Sequence, residues 1–315
     1  MRLSLRVGSA AALIIIALVL INRQLHTVPG QNPSSFWHFD TTSFQATLRP
    51  QSQVAQDSHR KWGSGTNNKL GLSYQTTPIE VPNDGVIVMG KLREEDTAWV
   101  SAELAEWRNY VYTVDDTTVA THTPKNKGRE ALPYLQYIVD HYDDLPAVIL
   151  FLHSHRDGWP AAWHTDTMEY SNVDSVRALQ RDYVLQEGFV NLRCQLSPGC
   201  PDEMKPFRSP AKPGNTGEKH YATAWKELFG NTNVPETIAA PCCSQFAVSK
   251  DQVLKRPLSD YKRMYQWVLT NDLPDEVTSN IMEYSWHIIF GREPVFCPDV
   301  FQCYADVYGE EVYGF

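Results

Sequence analysis

The stretch Arg129 to Asp157, REALPYLQYIVDHYDDLPAVILFLHSHRD, decides how this chain folds. Its first half sets Leu132, Leu135, Ile138, Val139 and Tyr142 at helical spacing, which predicts a helix over 129–142 with one apolar face. Its second half, Val148 to Leu152, is a short unbroken apolar run, the pattern of a strand covered on both faces. That run stops abruptly at the polar segment His153-Ser154-His155-Arg156-Asp157. A helix, a buried strand and a polar turn in succession are the unit from which α/β proteins with mostly parallel sheets are built.

Working outward, the same alternation continues. Val86 to Met89 and Tyr110 to Val114 read as strands, with a helix predicted over Trp99 to Trp107 between them. Beyond the central stretch, Val173, Val176, Leu179 and Tyr183 share a helical face. Ser197 to Gly217, rich in Pro and Gly, reads as a surface loop or lid. Two further helices are predicted, Lys250 to Thr270 with Pro257 near its start, and Asp275 to Phe290. The expected fold is therefore α/β, a single, mostly parallel open sheet covered by helices, carried by residues 83–315.

The N-terminal part reads differently. Sixteen uncharged residues separate Arg6 from Arg23, and Gly8 to Ile21 (GSAAALIIIALVLI) is apolar almost throughout. At 1.5 Å per residue, this run gives about 24 Å of helix, short for a membrane span but close to one. Asn22, Arg23, Gln24 and Leu25 follow it, without the small residues of a cleavage site. Residues 1–23 are thus expected to form an uncleaved single-pass membrane anchor, and 24–82, rich in Gln, Ser, Thr, Asn and Pro, a stem. Arg2 and Arg6 against Arg23 alone do not settle which side the domain faces.

Composition narrows the classes. The 315 residues are 42% hydrophobic and 21% charged, enough apolar mass for a core and too little charge for disorder. A net charge of -9 argues against binding to polyanions through overall charge. All six cysteines lie between Cys194 and Cys303, with no CxxC spacing, so a structural zinc site is disfavoured. Three disulfides and six free thiols both fit, according to compartment.

Ligands of open α/β sheets sit outside the carboxyl ends of the strands, so the residues following each strand carry the chemistry. After the second strand come Asp115 and Asp116. After the third come His153, His155 and Asp157, then His164 and Asp166, types suited to metal ligation or general base work. A plain reading has the two aspartates capping the next element and the histidines packing on Trp159 and Trp163. Asn126-Lys127-Gly128-Arg129-Glu130 opens a helix, and such a basic, Gly-containing start can hold a phosphate or be merely a solvated helix end. Adjacent Cys242 and Cys243 read as buried cysteines, since no histidine close in sequence would activate a nucleophile. Glu283 and His287, four apart with Trp286 between, can turn a carboxylate toward an apolar wall that alters its proton affinity.

Four stretches together, REEDTAWV, NKGREALPYLQYIVDHYDDLPAVILFLHSHRDGWPAAWH, PCCSQFAVS and NIMEYSWHIIFG, carry a resemblance. Over about Val86 to Gly309, the chain resembles the fungal family known as domain of unknown function 3431. The resemblance implies a strand order similar to that of GT-A-type (Rossmann-like) nucleotide-sugar transferases. In that likeness Asp115 and Asp116 would meet the nucleoside, and His153, His155 and Asp157 would stand where such enzymes carry a metal-binding Asp-x-Asp. Glu283 would be the base, and Lys127, Arg129, Glu130, Trp163 and Gln245 would contact substrate. The family is also similar to fungal arginine-containing cyclodipeptide synthases, whose Asp-Asp-x-x-Glu motif is nearest to Asp143-Asp144-Leu145-Pro146-Ala147, with Ala147 in the place of the carboxylate.

The expectation drawn from these likenesses is a transferase of fungal secondary metabolism. The first choice is a tRNA-dependent synthase forming an arginine-containing cyclodipeptide, with Asp143 and Asp144 catalytic, aminoacyl-tRNA as partner and no cofactor. The alternative is a membrane-anchored glycosyltransferase taking a nucleotide sugar and a divalent metal. A third possibility is a membrane-anchored binding protein without catalysis.

Overall fold

The computed structural model describes residues 84–309, so the expected anchor and stem lie outside the described residues. Among the described residues no helix is long and apolar enough to cross a membrane.

One open five-stranded sheet organises the domain. Its strands are β1 (Gly85–Lys91), β2 (Arg108–Thr113), β3 (Val148–Phe151), β4 (Phe189–Asn191) and β5 (Phe246–Ser249), in the order β2-β1-β3-β5-β4. β1 runs parallel to both neighbours, in the register Val86↔Arg108 and Val86↔Ile149. β5 is reversed and pairs antiparallel with β3 and β4, Phe246 lying opposite both Phe151 and Asn191. The sheet is thus parallel at its centre and mixed toward one edge. The carboxyl ends of β1 to β4 and the start of β5 share one edge.

Side chains alternate across the sheet and feed two cores. Val86, Val88, Ile149, Phe151, Phe246 and Val248 face one layer of helices. That layer contains α2 (Ala131–Asp140), α5 (Glu218–Phe229), α7 (Leu258–Thr270), α8 (Asp275–Glu283) and α9 (Trp286–Ile289). Ile87, Met89, Leu150, Val190 and Ala247 face the other layer, formed by α1 (Ala98–Glu103), α3 (Asn172–Ala178), α4 (Arg181–Glu187) and α10 (Val300–Tyr308). Val86 to Met89 are wholly buried, as an unbroken apolar run in a doubly covered strand requires.

Three expected helices are each divided in two, for different physical reasons. The run from Lys250 breaks into α6 (Lys250–Leu254) and α7, because Pro257 takes an extended conformation (ψ 148°) as the residue before α7 and disfavours a helical residue before it. The run through Val173 and Tyr183 divides at Leu179 and Gln180, where the Gln180 N–H bonds instead to the Val307 carbonyl of α10. The last run divides at Tyr284 and Ser285, and the Ser285 hydroxyl binds the Ile281 carbonyl while sharing a hydrogen bond with the Tyr221 hydroxyl.

All six cysteines pair, as Cys194–Cys303, Cys200–Cys297 and Cys242–Cys243. The first joins the segment after β4 to α10. The second fastens the 197–217 segment, which carries no helix or strand and is further pinned by the Met204–Ile238 backbone pair and by Arg208, 3.0 Å from the fully buried Glu218.

Candidate functional site

A cleft of about 470 Å³ opens at the shared strand edge. Its floor is made by the ends of three strands: Lys91 at the end of β1 with Leu92 after it, Val114 after β2, and His153 to His155 after β3. Arg129 and Glu130, at the entrance to α2, form its wall with Asp275.

That wall depends on an unusual turn. Gly128 and Arg129 both adopt left-handed backbone, with φ of 65° and 53°. A Cβ on Gly128 would stand 2.8 Å from Val268 Cγ1, so glycine is required both for its φ and for its space. The Gly128 N–H donates to Asp275 Oδ1 at 3.1 Å, and Lys127 Nζ lies 3.3 Å from the same carboxylate while also bonding the Leu273 carbonyl. Lys127 is therefore a structural tie, whereas Arg129 is exposed on the cleft.

Glu130 is the carboxyl that the turn delivers to the cleft. Burial raises its proton affinity, opposed by its own backbone N–H, by Ser244 and by the charge of Arg129. The buried Ser244 hydroxyl lies toward it but outside strict hydrogen-bond geometry. Glu283 stands behind Glu130 and does not line the cleft; it faces a small internal space with Ser244 and Gln245. Its Oε1 accepts from the Cys243 N–H at 2.6 Å and its Oε2 from Asn280 at 3.3 Å. Burial pushes its pKa up to about 7, and the charge of Glu130 adds to the shift.

The histidines form a second group. His153 and His164 pack with tilted rings, centroids 4.4 Å apart, and neither Nε2 has a hydrogen-bond partner. Burial lowers His153 to about 4 and holds His164 well below the usual imidazole range, so both rings are neutral at pH 7. Gln245 locks this corner, its Oε1 accepting from the His153 N–H at 2.9 Å while its amide donates to Thr165 Oγ1 at 3.3 Å. His155 reaches the cleft with Nε2 3.9 Å from Glu95 Oε1.

Of the other residues singled out in the sequence, Trp163 meets this group, its ring edge-on to His164 at 6.0 Å, and the rest lie apart from it. Asp115 accepts from the Arg93 N–H at 2.8 Å, and Asp116 accepts from both the backbone N–H and the hydroxyl of Thr118, which hold its carboxyl below the usual range. Both therefore cap local loops. Asp157 is paired with Arg156 on the surface. Trp163, 37% exposed, lies beneath the Arg193 guanidinium at 5.1 Å. Asp143 and Asp144 are exposed in the turn that leads into β3, at the opposite edge of the sheet. Asp166 is buried as a hub, accepting from the Cys194 and Gln195 N–H groups and from Tyr304, with Arg193 3.2 Å away.

Lys91, Glu95 and Asp275 also line the cleft and were missed by sequence reasoning. The first ends β1 and the second follows it, so the strand-end rule would have found them had it been applied to all three parallel strands. Asp275 approaches only through tertiary packing. Among the described residues, the group of three potential ligands that stands close enough to hold an ion is Cys242, Cys243 and Glu283, with ligand atoms within 4.8 Å of one another. It includes none of His153, His155 and Asp157.

Fold and site thus define an α/β protein with an open mixed sheet and a polar, carboxyl-bearing cleft at its strand ends. Within that class the chain belongs to the family described as "Protein of unknown function (DUF3431)", which matches residues 87–306, from β1 into α10. No curated protein and no solved structure matches the chain.

Proposed function

We propose that this domain is a GT-A-type glycosyltransferase that takes a nucleotide sugar in an oxidising compartment, with Glu130 as the carboxylate facing the acceptor. The observation that carries the reading is the placement of Glu130 in a strand-end cleft beside exposed Arg129. A carboxylate there can take the proton from an acceptor hydroxyl as it attacks the anomeric carbon. Arg129 and Lys91 supply positive charge for the departing nucleoside diphosphate. Glu283 acts through Glu130, because the charge of either carboxyl opposes ionisation of its neighbour across the cleft wall. His155 and Glu95 fit a divalent ion in part, offering nitrogen and oxygen donors at the cleft. Such an ion would supply charge to the phosphates.

Two more features support this reading. The order β2-β1-β3-β5-β4 with β5 reversed is compatible with the GT-A-like core that the family likeness implies. Pairing of all six cysteines suits a compartment that sustains disulfides, which aminoacyl-tRNA does not reach.

The second reading, an arginine-containing cyclodipeptide synthase, is supported by the acidic lining of Glu95, Glu130 and Asp275, which suits a guanidinium. Its proposed catalytic pair, Asp143 and Asp144, lies at the far edge of the sheet.

The test is an assay of the purified full chain for nucleotide-sugar hydrolysis and transfer over a panel of donors, with Glu130→Gln alongside. Donor turnover lost in the variant supports the transferase. Absence of turnover by folded protein, together with an arginine-containing cyclodipeptide in extracts of the expressing cells, replaces it with the synthase.

A further inference from the structure

The three disulfides differ in what they can do for the fold. Cys194–Cys303 and Cys200–Cys297 span 109 and 97 residues and stabilise by shortening large loops of the unfolded chain. Cys242–Cys243 joins neighbours and closes no loop. It stabilises nothing by that route, and it sits where Cys243 and Ser244 adopt consecutive positive-φ conformations, 92° and 51°, which side-chain-bearing residues rarely adopt.

Glu283 completes the group. It reaches from the end of α8 to the turn before β5, close enough for its carboxylate and the two sulfurs to lie within 4.8 Å. Two thiolates and one carboxylate form a donor set for soft or borderline divalent ions, with a fourth position left open, and a poor one for hard ions that prefer oxygen alone. While the S–S bond is intact neither sulfur is a thiolate, so the donor set exists only in the reduced chain.

We propose that Cys242 and Cys243 form a reducible pair whose dithiol form, together with Glu283, binds a soft divalent cation of the zinc and cadmium class. An external thiol or phosphine supplies two electrons, the S–S bond breaks, and two protons are taken up to give two thiols. Metal binding then forms two S–metal bonds and releases those two protons. The oxidised chain has no such site. The inference is independent of the glycosyltransferase reading, because the three ligands stand behind the cleft wall and binding is read without turnover.

The experiment uses the purified full chain and cadmium as probe. The protein is treated with a limiting phosphine, released thiols are located by alkylation and mass spectrometry, and cadmium is followed by thiolate-to-metal charge-transfer absorption and by elemental analysis after gel filtration. The expected result is release of Cys242 and Cys243 before the other four cysteines and stoichiometric cadmium binding by the reduced chain alone. Glu283→Gln should weaken binding by roughly ten-fold or more. Cys242→Ser/Cys243→Ser should abolish it; reduced wild type with both thiols alkylated serves the same purpose without a folding requirement. Release of the long-range disulfides first, or no cadmium bound by chains whose Cys242 and Cys243 are shown to be free, overturns the proposal. So does unchanged binding after alkylation.

Discussion

The two ends of the sheet each carry a cleft, and they are chemically opposite. The larger, about 610 Å³, lies where β4 begins and β5 ends. Its charged side chains are mostly paired: Arg256 meets Asp260 at 3.1 Å and the Ile289 carbonyl, Arg292 meets Glu187 at 3.0 Å and the Phe189 carbonyl although its Nε has no partner, and Lys255 bonds Gln252. The smaller, about 470 Å³, lies at the carboxyl ends of the parallel strands and holds Glu130 with raised proton affinity and His153 with an unpartnered ring nitrogen. Volume ranks the two one way and chemistry the other. A network that already answers its own charges has nothing left to offer a substrate, whereas groups with displaced proton affinities and open valences do.

The strongest way to break this contrast is at Glu130. On the reading above, Glu130→Gln lowers kcat/KM by about 10²–10⁴, the usual contribution of a positioned general base, with little change in thermal unfolding. Equal activity in the variant would move the chemistry elsewhere. Removing the long tie between the segment after β4 and α10 comes next. Cys194→Ser/Cys303→Ser should lower stability by about 4 kcal/mol on loop-closure grounds, read as a shift in the denaturation midpoint of the purified chain.

Third is the pH dependence set by Glu283. Folding raises its pKa from 4.5 to about 7, so the stability it contributes is complete below pH 4.5 and is lost as pH rises through 7. The wild type should therefore lose on the order of 3 kcal/mol from this group between those limits. Glu283→Gln, which can still accept from the Cys243 N–H, should flatten that decline; parallel stability curves from pH 4.5 to 8 for the two proteins would contradict the burial argument. The smallest effect belongs to the far edge. Asp143→Asn/Asp144→Asn, exposed on both positions, should change stability by less than about 0.5 kcal/mol and leave turnover untouched. Loss of turnover in that double variant would favour the synthase reading.

Much of the architecture was legible because it rests on periodicity. β1, β3 and α2 lie close to where the apolar runs and the helical face of 129–142 place them, since burial on two faces or one stripe leaves a direct mark on residue order. β5 is hidden inside PCCSQFAVS, because four residues are too few to show a period. Its reversal was equally invisible, since strand direction is set by the path of the connecting chain and not by the strand's own residues.

The site divides in the same way. Arg129, Glu130, His153 and His155 stand at a helix start and a strand end, and their place on the cleft edge follows from chain order once the fold class is known. The roles of the two glutamates did not follow. Sequence reasoning put Glu283 at the reacting centre and Glu130 among the binding residues, and the structure sets Glu130 on the cleft with Glu283 behind it. That order depends on the left-handed turn at Gly128 and Arg129, on Asp275 arriving from α8, and on the divided helix at Ser285. By itself the sequence determined the class of fold, the strand edge at which the polar cleft opens and the residue types available there, because these follow from local hydrophobic pattern and chain order. Which glutamate lines the cleft, which cysteines meet and which charges cancel were decided only by tertiary structure, because each depends on the distance between side chains far apart along the chain, and no local pattern records that distance.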